Sequence, residues 1–224
     1  MEYKQSEVTL IGSTKSHIDI EPDWFPVAAA RVSHGADGKT GASEENDIKL
    51  MTFLKEHSHN TPFEHTYATF KIECPLFVRS EWHRHRTQSF NEISMRYTSS
   101  NIGKVFKPNK WRNQADRNKQ SSEGELEIHD ACAATGILTT AYEVAMDAYN
   151  KLLALGVARE QARMVIPVGH MTEFYASANL LNWHKFCVLR CAPDAQFEIR
   201  ELADKINTIL GELYPKSWGV LSNG

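Results

Sequence analysis

The chain has 224 residues, a formal net charge of −3, and 42% hydrophobic and 24% charged residues, ordinary figures for a globular protein able to bury a core of its own. The slight acidic excess argues against a dedicated nucleic-acid binder, which presents a broad basic face, and no apolar run approaches the ~20 residues of a membrane span. Met1–Gln5 lacks the basic-then-apolar start of a signal peptide, and four scattered cysteines (Cys74, Cys132, Cys187, Cys191) read as reduced thiols, so the expected location is cytoplasmic.

In chain order, Val8–Gly12 reads as a short opening strand. A helix is expected over Phe25–Val32, with Pro26 tolerated in its first turn, and a loop over Gly35–Gly41 carrying Asp37 and Gly38. Ser43 then caps a helix. Glu44, Glu45 and Asp47 lie in its first turn, where the dipole favours negative charge, and Ile48, Met51 and Leu54 follow at helical spacing. His65–Cys74 alternates: Ala68, Phe70, Ile72 and Cys74 point one way, Thr69, Lys71 and Glu73 the other, the pattern of a half-buried strand. Pro75 ends it and opens a helix through Leu76 to Trp82. The polar stretch Asn113–Glu125 is expected to be an exposed, mobile loop. Ile128–Leu155 is a long Ala-rich amphipathic helix closed by Gly156, and Ala158–Ile166 a short one stopped by Pro167. A strand over Met171–Ala178 and helices over Asn179–Cys191 and Asp194–Leu213 follow. With no repeat and no dividing linker, residues 1–224 form one α+β domain.

The most informative stretch is Arg84-His85-Arg86-Thr87-Gln88-Ser89-Phe90-Asn91-Glu92-Ile93-Ser94-Met95-Arg96-Tyr97. It is locally basic inside an acidic chain, and its apolar residues tie it to the core, so it reads as a receptor for an anionic small molecule; the guanidinium fork suits phosphate. Three other groups stand out: His59-Asn60-Thr61-Pro62-Phe63-Glu64-His65 at a helix-to-strand turn, Arg163 before Pro167, and Arg190 among Val188, Leu189 and Cys191. An arginine in that apolar setting needs a partner, because an unpaired buried charge is costly. Metal binding is disfavoured. His57/His59 and His83/His85 lack a supporting carboxylate at ligand spacing, and Arg84 and Arg86 would repel a cation beside His85. Ser94 has no Gly-x-Ser-x-Gly elbow around it and reads as a hydrogen-bond donor rather than a nucleophile. With neither a Gly-x-Gly-x-x-Gly fingerprint nor a P-loop, a nucleotide would be held by side chains and non-Rossmann backbone.

Arg84-His85-Arg86 followed after seven residues by Ser94, with Ser89-x-Asn91-Glu92-x-Ser94-x-Arg96-Tyr97, resembles the signature of the flavin-dependent thymidylate synthases. His59-x-Thr61-Pro62-Phe63-Glu64-His65 upstream and Ala162-Arg163-x-Val165-x-Pro167, Asn179 and Arg190 downstream extend the resemblance over residues 59 to 190. It implies conversion of dUMP to dTMP, with methylenetetrahydrofolate as carbon donor, FAD as redox carrier, NADPH as reductant and tetrahydrofolate released. It also implies a homotetramer with sites shared between subunits, and a non-Rossmann fold with a central mixed or antiparallel sheet flanked by helices. Carried over by residue, His59, Thr61, Arg84, His85, Arg86, Asn91, Glu92, Asn179 and Lys185 would hold FAD. Glu81, Arg84, Glu92, Ser94, Met95, Arg96 and Arg163 would bind dUMP, and Arg190 would lie against the uracil as the catalytic residue. The chain departs from the family pattern at Glu81, where Gln is common and a carboxylate repels phosphate unless an arginine neutralises it. It departs again at Leu181, in place of an Arg, and at Lys185, in place of Asn or His, as though the cation had moved one helical turn. A non-catalytic nucleotide-binding module is the alternative reading.

Overall fold

A computed structural model describes residues 1–35, 41, 43–119 and 121–222; most of the loop expected at 35–41 lies outside the described residues. In chain order the elements are β1 (Glu2–Lys4), β2 (Glu7–Ser13), α1 (Phe25–Val32), α2 (Glu44–Glu56), β3 (Tyr67–Pro75), α3 (Leu76–Trp82), β4 (Ser89–Glu92), β5 (Lys104–Phe106), β6 (Asn113–Gln114), β7 (Ser122–Glu123), α4 (Ile128–Ala154), α5 (Arg159–Ala162), β8 (Met171–Asn179), α6 (Leu180–Arg190), α7 (Phe197–Leu213) and α8 (Pro215–Ser222). The expected α+β class holds. The central sheet is antiparallel in the order β2-β3-β8-β4, and β1 pairs in parallel with β5 alongside it.

The alternation read in β3 is the alternation seen. Ala68, Phe70, Ile72 and Cys74 are buried, and Phe174, Ala176 and Ala178 of β8 join them on that face. Helices α6 and α7 cover it through Trp183, Phe186, Ile199, Leu202 and Ile206, with the Phe70 and Trp183 rings edge-to-face at 5.1 Å. The opposite face is polar: Thr69 bonds Ser177 at 2.8 Å, and Lys71 bridges Glu73 and Glu173 at 2.9 and 2.8 Å. Those two carboxylates hold the Lys71 ammonium well above its ordinary range.

Pro75 ends β3 as the N-cap of α3, as expected. The first free N–H groups of α3 are satisfied by another segment: Leu76 donates to the His170 carbonyl and Phe77 to the Val168 carbonyl, each at 3.0 Å. This anchors the start of α3, whose seven residues carry the chain to Glu81 and on to Arg84–Arg86. Ser43 caps α2 by accepting from Asn46 N–H at 3.4 Å. Asp47 does more than answer the dipole: it is buried, pairs with Arg31 at 2.5 Å and accepts the Gly41 N–H.

Several elements differ from expectation, among them the strands β1, β4 and β5, which the sequence did not announce. The stretch 113–125 contains a small hairpin, β6 against β7, with Arg112 tied to Ser122 at 2.8 Å and to Glu198 at 2.6 Å. The helix expected through Ile166 is α5 followed by a 3-10 turn over Arg163–Val165. Helix α8 was not expected, and Asp23 holds it from far upstream. Helix α4 runs 27 residues, about 40 Å at 1.5 Å per residue, and buries Tyr142 and Tyr149. Tyr142 donates to the Phe106 carbonyl at 2.8 Å and passes so close over Gly169 that an added Cβ there would collide with its hydroxyl.

Candidate functional site

The last turn of α3 and the C-terminal end of α6 converge. Arg190, the final residue of α6, donates from Nε to His85 Nε2 at 2.8 Å and from Nη1 to a Glu81 carboxylate oxygen. The partner required by a part-buried arginine is therefore in the chain itself. The expected apolar setting is corrected: Val188 and Leu189 are 59% and 60% exposed. The same pair answers the departure at position 81, because the carboxylate there is neutralised by an arginine. Acceptance of the Nε–H leaves His85 with a bare Nε2. Burial, reinforced by the Arg190 charge, pushes its pKa from 6.5 to about 4. The ring packs against Phe186 at 4.8 Å.

One strand over, β4 carries Glu92 into a second ion pair. Arg79 Nε and the Thr172 hydroxyl donate to the same Glu92 oxygen at 2.9 and 2.7 Å. Neither Arg79 nor Thr172 was singled out in the sequence. Their signal is register: Thr172 lies two residues before Phe174, which pairs with Glu92 in the β4–β8 ladder. His83 stacks on Phe90 at 4.3 Å, and burial with the Arg79 charge lowers its pKa.

Beyond β4 the chain turns at Ser94. The Ser94 hydroxyl accepts the Arg96 N–H at 3.3 Å, while its carbonyl accepts from Tyr97 and Thr98. Arg96 and Arg163 are brought to the same helix, α5. Arg96 lies 3.7 Å from a Glu160 carboxylate oxygen, and Arg163 Nε donates to the Glu160 carbonyl at 3.3 Å. Met95 is half-buried between Ser94 and Arg96. Arg84, Arg86 and Asn91 are exposed, and among the described residues neither Arg84 nor Arg86 has an ion-pair partner.

His59 and Thr61 belong to a separate feature. They line a cavity of about 880 Å³ together with apolar Ala30, Leu50, Phe53 and Leu54 and polar Arg31, Ser33, His34 and His65. A mostly apolar lining with a few polar groups is the usual make-up of a small-molecule site. The α1 contributors, Arg31, Ser33 and His34, went unremarked in the sequence. Asn179 is 8% exposed, and its side-chain oxygen caps α6 by accepting the Asn182 N–H at 2.9 Å. Leu181 is buried in the core while Lys185 is exposed, so the two departures on α6 lie in different surroundings.

The chain is similar to known proteins along most of its length. The family described as "Thymidylate synthase complementing protein" matches residues 17–216. Flavin-dependent thymidylate synthase of Thermus thermophilus is 44% identical over 192 residues, 86% of this chain and 68% of the relative. That of Thermosipho melanesiensis is 40% identical over 193 residues, covering 86% and 82%. Among solved structures, the UMP/dUMP methylase PolB from Streptomyces cacaoi, bound with 5-Br dUMP, superposes with a TM-score of 0.87 at 31% identity, covering 100% of this chain and 97% of that one. The chain belongs to the flavin-dependent thymidylate synthase family, the thymidylate synthase complementing proteins.

Proposed function

We propose that this enzyme methylates dUMP to dTMP, taking the carbon from methylenetetrahydrofolate, with FAD reduced by NADPH and tetrahydrofolate released. The observation that carries the reading is the pairing of opposite arginine states beside one another. Arg190 is held by two protein partners, whereas Arg84 and Arg86, which flank His85 in the chain, are exposed and have no ion-pair partner among the described residues. The first state suits a group that must point in one direction; the second suits capture of a mobile phosphate.

In this reading Arg84, Ser94, Arg96 and Arg163 bind the nucleotide phosphate, with Met95 and Glu92 beside it. Arg190 directs its remaining N–H groups at the pyrimidine edge, where fixed donors stabilise negative charge as the ring is activated. His59 and Thr61 in the α1–α2 cavity, together with Arg84, His85, Arg86, Asn91, Glu92, Asn179 and Lys185, hold the flavin, which when bound supplies the hydride chemistry that side chains lack. A neutral His85 suits this place because it offers a polar ring without adding charge beside Arg190. Glu81 faces Arg190 rather than the phosphate.

We also infer a homotetramer. Its support is α4, whose Ile137 and Val144 are 72% and 64% exposed along a trough floored by Gly136, Ala141, Ala145 and Ala148; contiguous exposed apolar surface of this kind marks an interaction face. The test of the flavin reading is a visible spectrum. Purified protein loaded with FAD should show oxidised-flavin absorbance that bleaches with NADPH, and failure to retain FAD through gel filtration would refute it.

A further inference from the structure

Glu81 occupies a poor place for a carboxylate. It lies in the last turn of α3, where the helix dipole opposes negative charge, while Arg190 sits in the last turn of α6, where the dipole favours a cation. The two meet across elements that the core already fixes. Trp82, beside Glu81, is fully buried and donates to Gln88 at 3.0 Å, and Phe186, one turn before Arg190, is fully buried against both Trp82 and His85. A single ion pair would fix only a distance. Here Nη1 meets Glu81 and Nε meets His85, so a planar fork is gripped at two of its three nitrogens and its rotation is fixed as well. The third nitrogen, Nη2, has no hydrogen-bond partner among the described residues. The side chains of Arg190 and Glu81 keep 17% and 23% of their exposure, so the open edge can be reached from solvent.

We propose that Glu81 is a positioning residue: together with the His85 ring it aims the open Nη2 edge of Arg190, and it acts on turnover through Arg190 rather than by touching the nucleotide. The inference rests on the reading that Arg190 meets the pyrimidine. It differs from a phosphate-facing role for position 81 and from a plain stabilising ion pair. What the geometry requires of position 81 is an oxygen at the right reach, not a charge.

The test is the order of three variants of the full-length protein, with kcat and the KM for dUMP measured separately. Glu81→Gln keeps the reach and an acceptor oxygen, and should hold kcat within about tenfold of wild type, the difference between a charge-assisted and a neutral hydrogen bond. Glu81→Asp keeps the charge but withdraws it by one methylene, and should fall further than Glu81→Gln. Glu81→Ala should lose about a hundredfold in kcat, as expected for a displaced orienting group, with KM changed less than about threefold. Crystal structures without ligand provide a readout independent of activity: Arg190 should keep its place in Glu81→Gln and leave it in Glu81→Ala. The proposal is overturned if Asp is better than Gln, if the substitutions alter KM while leaving kcat intact, or if Arg190 does not move in Glu81→Ala. Should Glu81→Ala fail to fold, the order of Gln and Asp decides. A wild-type enzyme that forms no dTMP would instead overturn the functional reading, and the crystal structures would still decide whether Glu81 positions Arg190.

Discussion

Arg190 joins two roles that the sequence leaves separate. Its ion pair with Glu81 leaves only 17% and 23% of the two side chains exposed, so removal of the arginine leaves a largely buried carboxylate without its partner. Arg190→Ala is therefore expected to cost ~1–3 kcal/mol in a urea titration, while lowering kcat by about 10²- to 10³-fold, the usual loss when a preorganised donor is removed. A large stability loss with turnover retained would make Arg190 a structural residue. His85 gives a pH prediction. Folded, the ring stays neutral down to about 4; unfolded, it takes up a proton below 6.5. Between those values the unfolded chain binds more protons, so stability is full above 6.5 and falls as the pH drops toward 4. His83, His170 and His184 are lowered mainly by burial and act in the same direction. The melting temperature should fall between about pH 7.5 and about pH 5; a constant or rising value contradicts the assignment. The residue types at the site were legible because phosphate needs arginines. The Arg190–Glu81 and Arg79–Glu92 pairings were not, since each joins residues that only the packing of α3 against the sheet and helices brings together.

Local signals made most elements legible. The alternation in β3, the Ser43 cap and Gly156, with its positive φ of 83° after α4, act within a few residues and need no tertiary context. Helix α8 shows the opposite case. Its first turn is held by Asp23, which is buried and accepts from Lys216 N, Ser217 N and Ser217 Oγ at 2.8, 2.8 and 2.6 Å. No pattern within Pro215–Ser222 announces that partner. Asp23→Ala should destabilise the protein by ~1–2 kcal/mol, the worth of a lost cap with buried donors left unmet; a loss below ~0.5 kcal/mol would mean that α8 stands without it. Helix α6 separates two proposed flavin contacts. Asn179 is already committed as a cap, whereas Lys185 is exposed. Lys185→Met is expected to weaken FAD binding by about tenfold, one charge-assisted contact. Unchanged affinity would remove Lys185 from the site.

At the scale of the whole molecule, one long helix stands largely outside the core. Helix α4 presents a stripe of small residues flanked by Ile137 and Val144, and a second copy of the chain is the occupant the tetramer proposal assigns to it. Ile137→Glu should lower the mass seen by light scattering without unfolding the chain, because a charge on an associating face is desolvated only in the assembly; an unchanged mass would move the interface elsewhere. The central claim remains catalytic and is tested most directly by product analysis. Incubated with FAD, NADPH, methylenetetrahydrofolate and dUMP, the enzyme is predicted to form dTMP with an equal amount of tetrahydrofolate and no dihydrofolate. Bound flavin and bound dUMP without dTMP would contradict the account and leave a nucleotide-binding module in its place.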